Sequence, residues 1–177
     1  MKTLILYGSK HGCTERCSLS LGEKVHGEVT IVNYNNETVL DLTPFKTIII
    51  GGSVYGGTIQ QEISSFCREN LAVLLTKRVG LFLCSMMKEE KAQIQLQVAF
   101  PSVLVAHAVA VEQFGGEIRW NSLNLMEKLM VKIVAKTEMN LSNEEIGNDV
   151  STVSEDKIIL FAERINEDGD SSLLSPQ

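Results

Sequence analysis

The chain reads as an α/β protein: a doubly wound, five-stranded parallel sheet in the order 2-1-3-4-5, with an extra helical excursion before the last helix. Three observations predict this. Apolar runs without alternation, at residues 4–7, 47–50 and 79–84, have the composition of strands buried on both faces. Segments with apolar residues at helical spacing separate them. Each run ends in a short loop, at residues 8–14, 53–58 and 85–88. In the stated strand order these loops are neighbours around one crevice at the carboxyl ends of the strands, where ligands of open α/β sheets bind.

The elements follow in order. Strand one is 4–7. Cys17, Leu21 and Val25 recur every four residues and mark the buried stripe of helix one, with Gly27 as its stop. Residues 29–34 give strand two, and the polar stretch 35–43 has room for one helical turn before Pro44. The β-branched run 47–50 is strand three, closed by Gly51-Gly52. Ile59, Ile63, Phe66, Cys67 and Leu74 share a face of helix two, and 79–84 is strand four. Glu89 and Glu90 open a charged helix that either runs through 92–105 or breaks at Pro101. Strand five is 108–114, ended by Gly115-Gly116. Ile158, Ile159, Phe161, Ala162 and Ile165 belong to a final helix over 154–165. Alternating strands and helices imply right-handed crossovers. Residues 1–166 form one domain, and 167–177 read as a flexible tail.

The first loop, Gly8-Ser9-Lys10-His11-Gly12-Cys13-Thr14, carries the chemistry. A strand, a small polar loop and a helix start together make a phosphate-binding turn, because a helix N-terminus offers unpaired N–H groups and a partial positive charge. Ser9 and Thr14 add hydroxyls, Thr14 near the N-cap. Gly8 and Gly12 let the backbone approach closely, and Lys10 and His11 can assist electrostatically. The P-loop pattern is absent, since Cys13-Thr14 stands where Lys-Ser/Thr is required. The G-x-G-x-x-G dinucleotide pattern is absent too. In the second loop, Tyr55 offers an aromatic face, and Gly56 and Gly57 permit close backbone contact. In the third, Met86 and Met87 are apolar and polarizable. The three loops contain no Asp, which argues against a phosphatase or response-regulator relative.

The whole chain sets bounds. With 177 residues it is large enough for a core of its own. A net charge of −6 argues against nucleic acid and suits docking to a basic redox partner. No apolar run reaches the roughly 20 residues that span a bilayer, and the N-terminus enters a strand directly, so a cytoplasmic protein is expected. Cys13, Cys17, Cys67 and Cys84 are expected as thiols. No zinc-type spacing occurs, so no metal site is assigned and core packing is the default for Cys17.

Residues 120–150 are an excursion from the five-stranded unit. Leu125, Met126, Leu129, Met130, Ile133 and Val134 form a wide apolar face of a helix over 121–136, while Lys128, Lys132 and Lys136 form a ridge on another face. With Arg119 and Trp120 beside it, the ridge points to an acidic partner or to peripheral contact with a membrane surface. The bland alternative is a helix packed on its own domain with solvated lysines. Residues 139–153 are polar and read as loop.

Four segments occur in order: Met1-Lys2-Thr3-Leu4-Ile5-Leu6, the loop Ser9 to Thr14, Ile50-Gly51-Gly52-Ser53-Val54-Tyr55-Gly56, and Phe114-Gly115-Gly116-Glu117-Ile118-Arg119 followed by 126–136. Together they resemble the flavodoxin-domain family that contains the FMN- and menaquinone-dependent protoporphyrinogen IX dehydrogenases. The resemblance implies a flavodoxin-like fold with FMN as cofactor. It places the phosphate on Ser9, Lys10, His11, Gly12, Cys13 and Thr14, and the flavin ring against Ser53, Val54, Tyr55 and Gly56, with Ser85, Met86 and Met87 closing the ring site. It implies an oxidoreductase or electron carrier and, through the protoporphyrinogen IX dehydrogenases that the family contains, a place in haem biosynthesis. A redox partner protein or a quinone would exchange electrons with it, and the excursion would serve that quinone- or membrane-linked activity. The flavin would carry the chemistry, so no catalytic acid or base is nominated. The alternative is a non-redox interaction module of the same fold without flavin.

Overall fold

A computed structural model describes residues 1–34, 40–55, 58–139 and 141–167, apart from the side chains of Tyr55 and Lys136. Five parallel strands run in the order β2-β1-β3-β5-β6: β2 (Glu28–Asn33), β1 (Lys2–Tyr7), β3 (Thr47–Tyr55), β5 (Arg78–Cys84) and β6 (Ala110–Gln113). This is the predicted order. The short β4 (Thr58–Ile59) folds back antiparallel on the end of β3, pairing Val54 with Ile59 and Tyr55 with Thr58.

The central strands are sealed on both faces, and their side chains divide by pleat. Leu4, Leu6, Ile48, Ile50, Leu81 and Leu83 pack with Ile63, Phe66, Leu74, Leu96 and Leu104. These come from α2 (Gln61–Glu69), α3 (Leu71–Leu74), α4 (Glu89–Ala99) and α5 (Ser102–His107). On the opposite face Ile5, Ile49 and Phe82 pack with Cys17, Leu21, Ile158, Phe161 and Ile165 from α1 (Cys13–Gly22) and α7 (Glu155–Asn166). Phe82 stacks on Phe114 with ring centroids 4.7 Å apart, and Phe161 meets both rings edge-on. Gly51 makes this possible: a Cβ there would stand 2.0 Å from the Phe82 ring.

Several boundaries differ from the sequence reading. Strand three does not stop at Ile50 but continues to Tyr55: the parallel ladder with β5 carries it to Ser53, and the hairpin with β4 adds Val54 and Tyr55. Ile59 is therefore in a strand rather than helix two, and Leu74 lies in the separate α3. Helix one ends at Gly22, short of Gly27. The helix after Glu90 breaks at Phe100, whose extended backbone (φ −120°, ψ 155°) is what a following proline enforces.

The excursion has its own small core of Met86, Ile118, Ala135 and Leu141. It begins at β7 (Glu117–Ile118), passes a 3-10 turn at Trp120–Ser122, α6 (Leu125–Val134) and a π-helical turn at Ala135–Met139, and returns through β8 (Val150–Ser151). β7 and β8 pair antiparallel, so the polar stretch read as loop holds a strand. Residues 35–39, where the sequence reading allowed a helical turn, Gly56-Gly57, and residues 168–177, read as a tail, lie outside the described residues. The fold makes one direct prediction. Gly51→Ala should lower the unfolding free energy by about 1–3 kcal/mol through overpacking against Phe82, read as a lower denaturant midpoint at unchanged slope.

Candidate functional site

β1 delivers the chain to the first loop, where the Gly8 N–H still bonds the Gly51 carbonyl (3.0 Å). Gly12 then turns into the left-handed region at φ +83° and is the N-cap of α1, without a side-chain cap. Its N–H donates to Ser9 Oγ (3.1 Å). The first N–H groups of α1 thus meet no capping side chain, at the positive end of the helix dipole. Thr14, expected near the N-cap, lies in the first turn of the helix, two residues after the cap. It is fully buried, and its Oγ1 has no hydrogen-bond partner among the described residues. Leaving a buried hydroxyl unpaired costs about 1–3 kcal/mol. A phosphate oxygen at this loop is the acceptor that both the hydroxyl and the uncapped N–H groups lack, so these residues fit a phosphomonoester.

One cleft of about 500 Å³ gathers most of the nominated residues. Lys10, His11 and Cys13 border it from the first loop, Ser53 and Val54 from the second, and Ser85, Met86 and Met87 from the third. The Tyr55 side chain and Gly56 lie outside the described residues. Ser85 is turned inward: its hydroxyl donates to Gln95 Oε1 (2.8 Å), and its carbonyl accepts from Gln113 Nε2 (2.6 Å). Gln60 fastens the second loop to the first, accepting from the Ser53 N–H (2.9 Å) and donating to the Gly8 carbonyl (3.1 Å).

The fourth wall comes from the excursion. Met126, Met130, Val131 and Val134 of α6 border the cleft. Glu127 joins that helix to the first loop: its carboxylate accepts from Lys10 Nζ (2.7 Å), meets His11 Nε2 (3.1 Å), and accepts the Asn124 N–H (2.9 Å) in a capping box. Burial alone would raise its carboxyl, but the bonds from Lys10, Asn124 and His11, with the Lys10 charge, hold it down at about 2. Beside the cleft, Glu117 pairs with both Arg16 and Arg119 (2.7 Å to Arg119 Nε).

The lysines of α6 face Trp120: Lys128 and Lys132 Nζ stand 5.7 and 5.8 Å from its ring centroid. The Lys136 side chain lies outside the described residues. The apolar face is the open one. Leu125 is 86% exposed and Ile133 61%, and α6 buries no residue completely. Among the described residues no helix is long and apolar enough to cross a membrane.

Under the cleft the structure converges three thiols. The sulfurs of Cys13, Cys17 and Cys84, all buried, lie within 4.8 Å of one another. Hydrogen bonding from Cys17 and Cys84 pulls the Cys13 thiol well below its ordinary range, and the same bonds push Cys17 and Cys84 up. Cys84, Gln60, Asn124 and Glu127 carried no sequence signal as site residues. Only the Asn-x-x-Glu spacing of 124 and 127 could have been found, as a helix start.

The fold and the cleft define a doubly wound α/β protein with an anion-ready loop at its switch point. The chain belongs to the flavodoxin domain family, whose model matches residues 4–144. It is similar in structure to the WrbA-like flavodoxin from Agrobacterium tumefaciens, at 17% identity and a TM-score of 0.53 over 93% of this chain and 95% of that one. Oxidised flavodoxin 1 from Bacillus cereus gives 12% identity and a TM-score of 0.52 over 93% and 97%. Against the metal-soaked flavodiiron core from Synechocystis sp. PCC6803 (16% identity, TM-score 0.48, 65% of this chain) the chain spans 30% of that protein's length. No curated protein matches in sequence.

Glu127 sets a pH test. A carboxyl lowered on folding from its ordinary 4.5 to about 2 stabilises the fold above that ordinary value and loses its contribution as pH falls through the folded one. The stability gap between wild type and Glu127→Gln should be full above pH 4.5 and close between pH 4.5 and 2, read by urea unfolding across that range.

Proposed function

We propose that this protein binds FMN in the cleft and works as a flavodoxin-like redox protein, an electron carrier or oxidoreductase. The observation that carries the reading is the buried, unpartnered Thr14 hydroxyl beside an uncapped helix start, next to Cys13, which borders the cleft, while Ser9, Gly12 and Thr14 themselves do not. Ser9, Lys10, His11, Gly12, Cys13 and Thr14 would hold the phosphate. Ser53, Val54, Tyr55 and Gly56 would take the ring, with Met86 and Met87 closing the site. When bound, FMN supplies the electron-transfer chemistry. The protein's part is to bind and orient it and to exclude water: Val54, Met86, Met87, Met126 and Met130 give the cleft a largely apolar lining.

The finer reading is an enzyme of the protoporphyrinogen IX dehydrogenase type, in haem biosynthesis, passing electrons to a quinone. Its support is the apolar wall that Met126, Met130, Val131 and Val134 add to the cleft, which suits a flat apolar reactant better than a small polar one. The open apolar edge of α6, from Leu125 through Leu129 to Ile133, would be the part to meet a membrane surface. A redox partner protein is the other electron exchanger. A second reading, a flavin-free interaction module, is favoured by one observation: Glu127 already places a carboxylate on Lys10 and His11 of the phosphate loop.

The test is reconstitution with FMN, removal of free flavin, and a visible absorbance spectrum. One flavin per chain, bleached by dithionite, is the expected result; a folded protein that keeps no flavin would favour the module. Thr14→Val should act with opposite signs. Losing an unpaired buried hydroxyl stabilises the flavin-free protein by about 1 kcal/mol. Losing a phosphate donor weakens FMN binding about tenfold, the equivalent of one hydrogen bond to a charged group. If the finer reading holds, the reconstituted protein oxidises protoporphyrinogen IX with a quinone, and Met130→Lys raises KM for that reactant.

A further inference from the structure

We propose that Cys13, Cys17 and Cys84 form a binding site for one thiophilic d10 metal ion, of which Zn²⁺ is the type, beneath the cleft. Two of the ligands lie one turn apart at the start of α1, and the third ends β5, so the site exists only in the folded chain. The three sulfurs are already within 4.8 Å of one another. Zinc–sulfur bonds of about 2.3 Å at tetrahedral angles need sulfurs about 3.8 Å apart, so side-chain adjustments of about 1 Å complete the three-sulfur face. Soft thiolates select soft ions, and no imidazole or carboxylate belongs to the cluster.

Access and charge agree. Cys13 and Cys84 border the cleft, which gives the ion a route in and leaves a fourth position facing the cavity. Cys17, only 2% exposed, closes the site from behind. Three thiolates around Zn²⁺ carry one net negative charge. The guanidinium charges of Arg16 and Arg119 reach Cys13 and offset part of that charge, although both are also paired with Glu117. Loading exchanges the thiol protons for the ion and releases them to solvent, with no change in oxidation state. The bound ion would join the first turn of α1, and with it the phosphate loop, to the end of β5 and the third loop. Cys67 is buried in the core on the other face of the sheet and takes no part.

The experiment uses the full chain, reduced and stripped of metal, titrated with Zn²⁺ in flavin-free and FMN-treated samples. Zinc K-edge absorption then reads the neighbours of the ion. One zinc per chain with three sulfur scatterers at about 2.3 Å is the expected result, whether or not flavin is present. Cys84→Ala should weaken zinc binding at least about 100-fold, beyond the effect of losing an outer-shell contact, while Cys67→Ala leaves it unchanged. A shell of nitrogen and oxygen only, or a folded Cys84→Ala protein that binds as tightly as wild type, would overturn the proposal. If Cys84→Ala does not fold, the wild-type scattering shell alone decides. The readout does not involve flavin, so failure here and failure to bind FMN are separate outcomes.

Discussion

Burial of the central strands on both faces is the constraint from which the rest follows. Every side chain of Leu4 to Leu6, Ile48 to Ile50 and Leu81 to Leu83 is fully removed from water. A sheet of this kind is stable only with helices on both sides, and its backbone polar groups are consumed by the ladder. Along these three runs no polar side chain is offered. Chemistry is confined to their ends, and the carboxyl ends of β1, β3 and β5 are where three loops and the start of α1 meet.

The loops are held there by a few polar ties. Gln60 links the second loop to the first, and Gln113 and Gln95 fix the third from below. Glu127 ties the excursion across the top. The excursion is also inverted relative to an ordinary surface helix. Its lysines are drawn to Trp120, and its methionines and aliphatic residues are left to the cleft and to the outside. A polar loop on one side and an apolar wall on the other give the cleft two chemically distinct halves.

Much of the fold was legible in the sequence, because buried parallel strands leave an unmixed apolar run and helices leave a four-residue spacing. Strand order and the three loops followed from that pattern. What escaped it were contacts between distant segments. The hairpin that extends β3 to Tyr55 depends on pairing with Thr58 and Ile59, which no local periodicity reports. β8 is two residues in a polar stretch, visible only through its partner β7. Within the site, the first loop was readable as a unit because its parts are adjacent in the chain. The approach of Cys84 to Cys13 and Cys17, and of Glu127 to Lys10 and His11, spans tens of residues and had no local sign. The amphipathic pattern of α6 named its two faces but gave no sign that Lys128 and Lys132 would lie over Trp120.

The two-residue ribbon of β7 and β8 has one more implication. The chain leaves the main fold at Glu117 and rejoins it at Ser151, directly opposite. Everything between is therefore a cassette with its entrance and exit side by side, and joining those ends by a tight turn would require little loop-closure entropy. The sheet and the first loop do not need the cassette for their own connectivity. Segments attached in this way can be lengthened, shortened or exchanged without redrawing the underlying topology. The architecture thus separates the loop at the start of α1 from the apolar wall that α6 adds to the cleft.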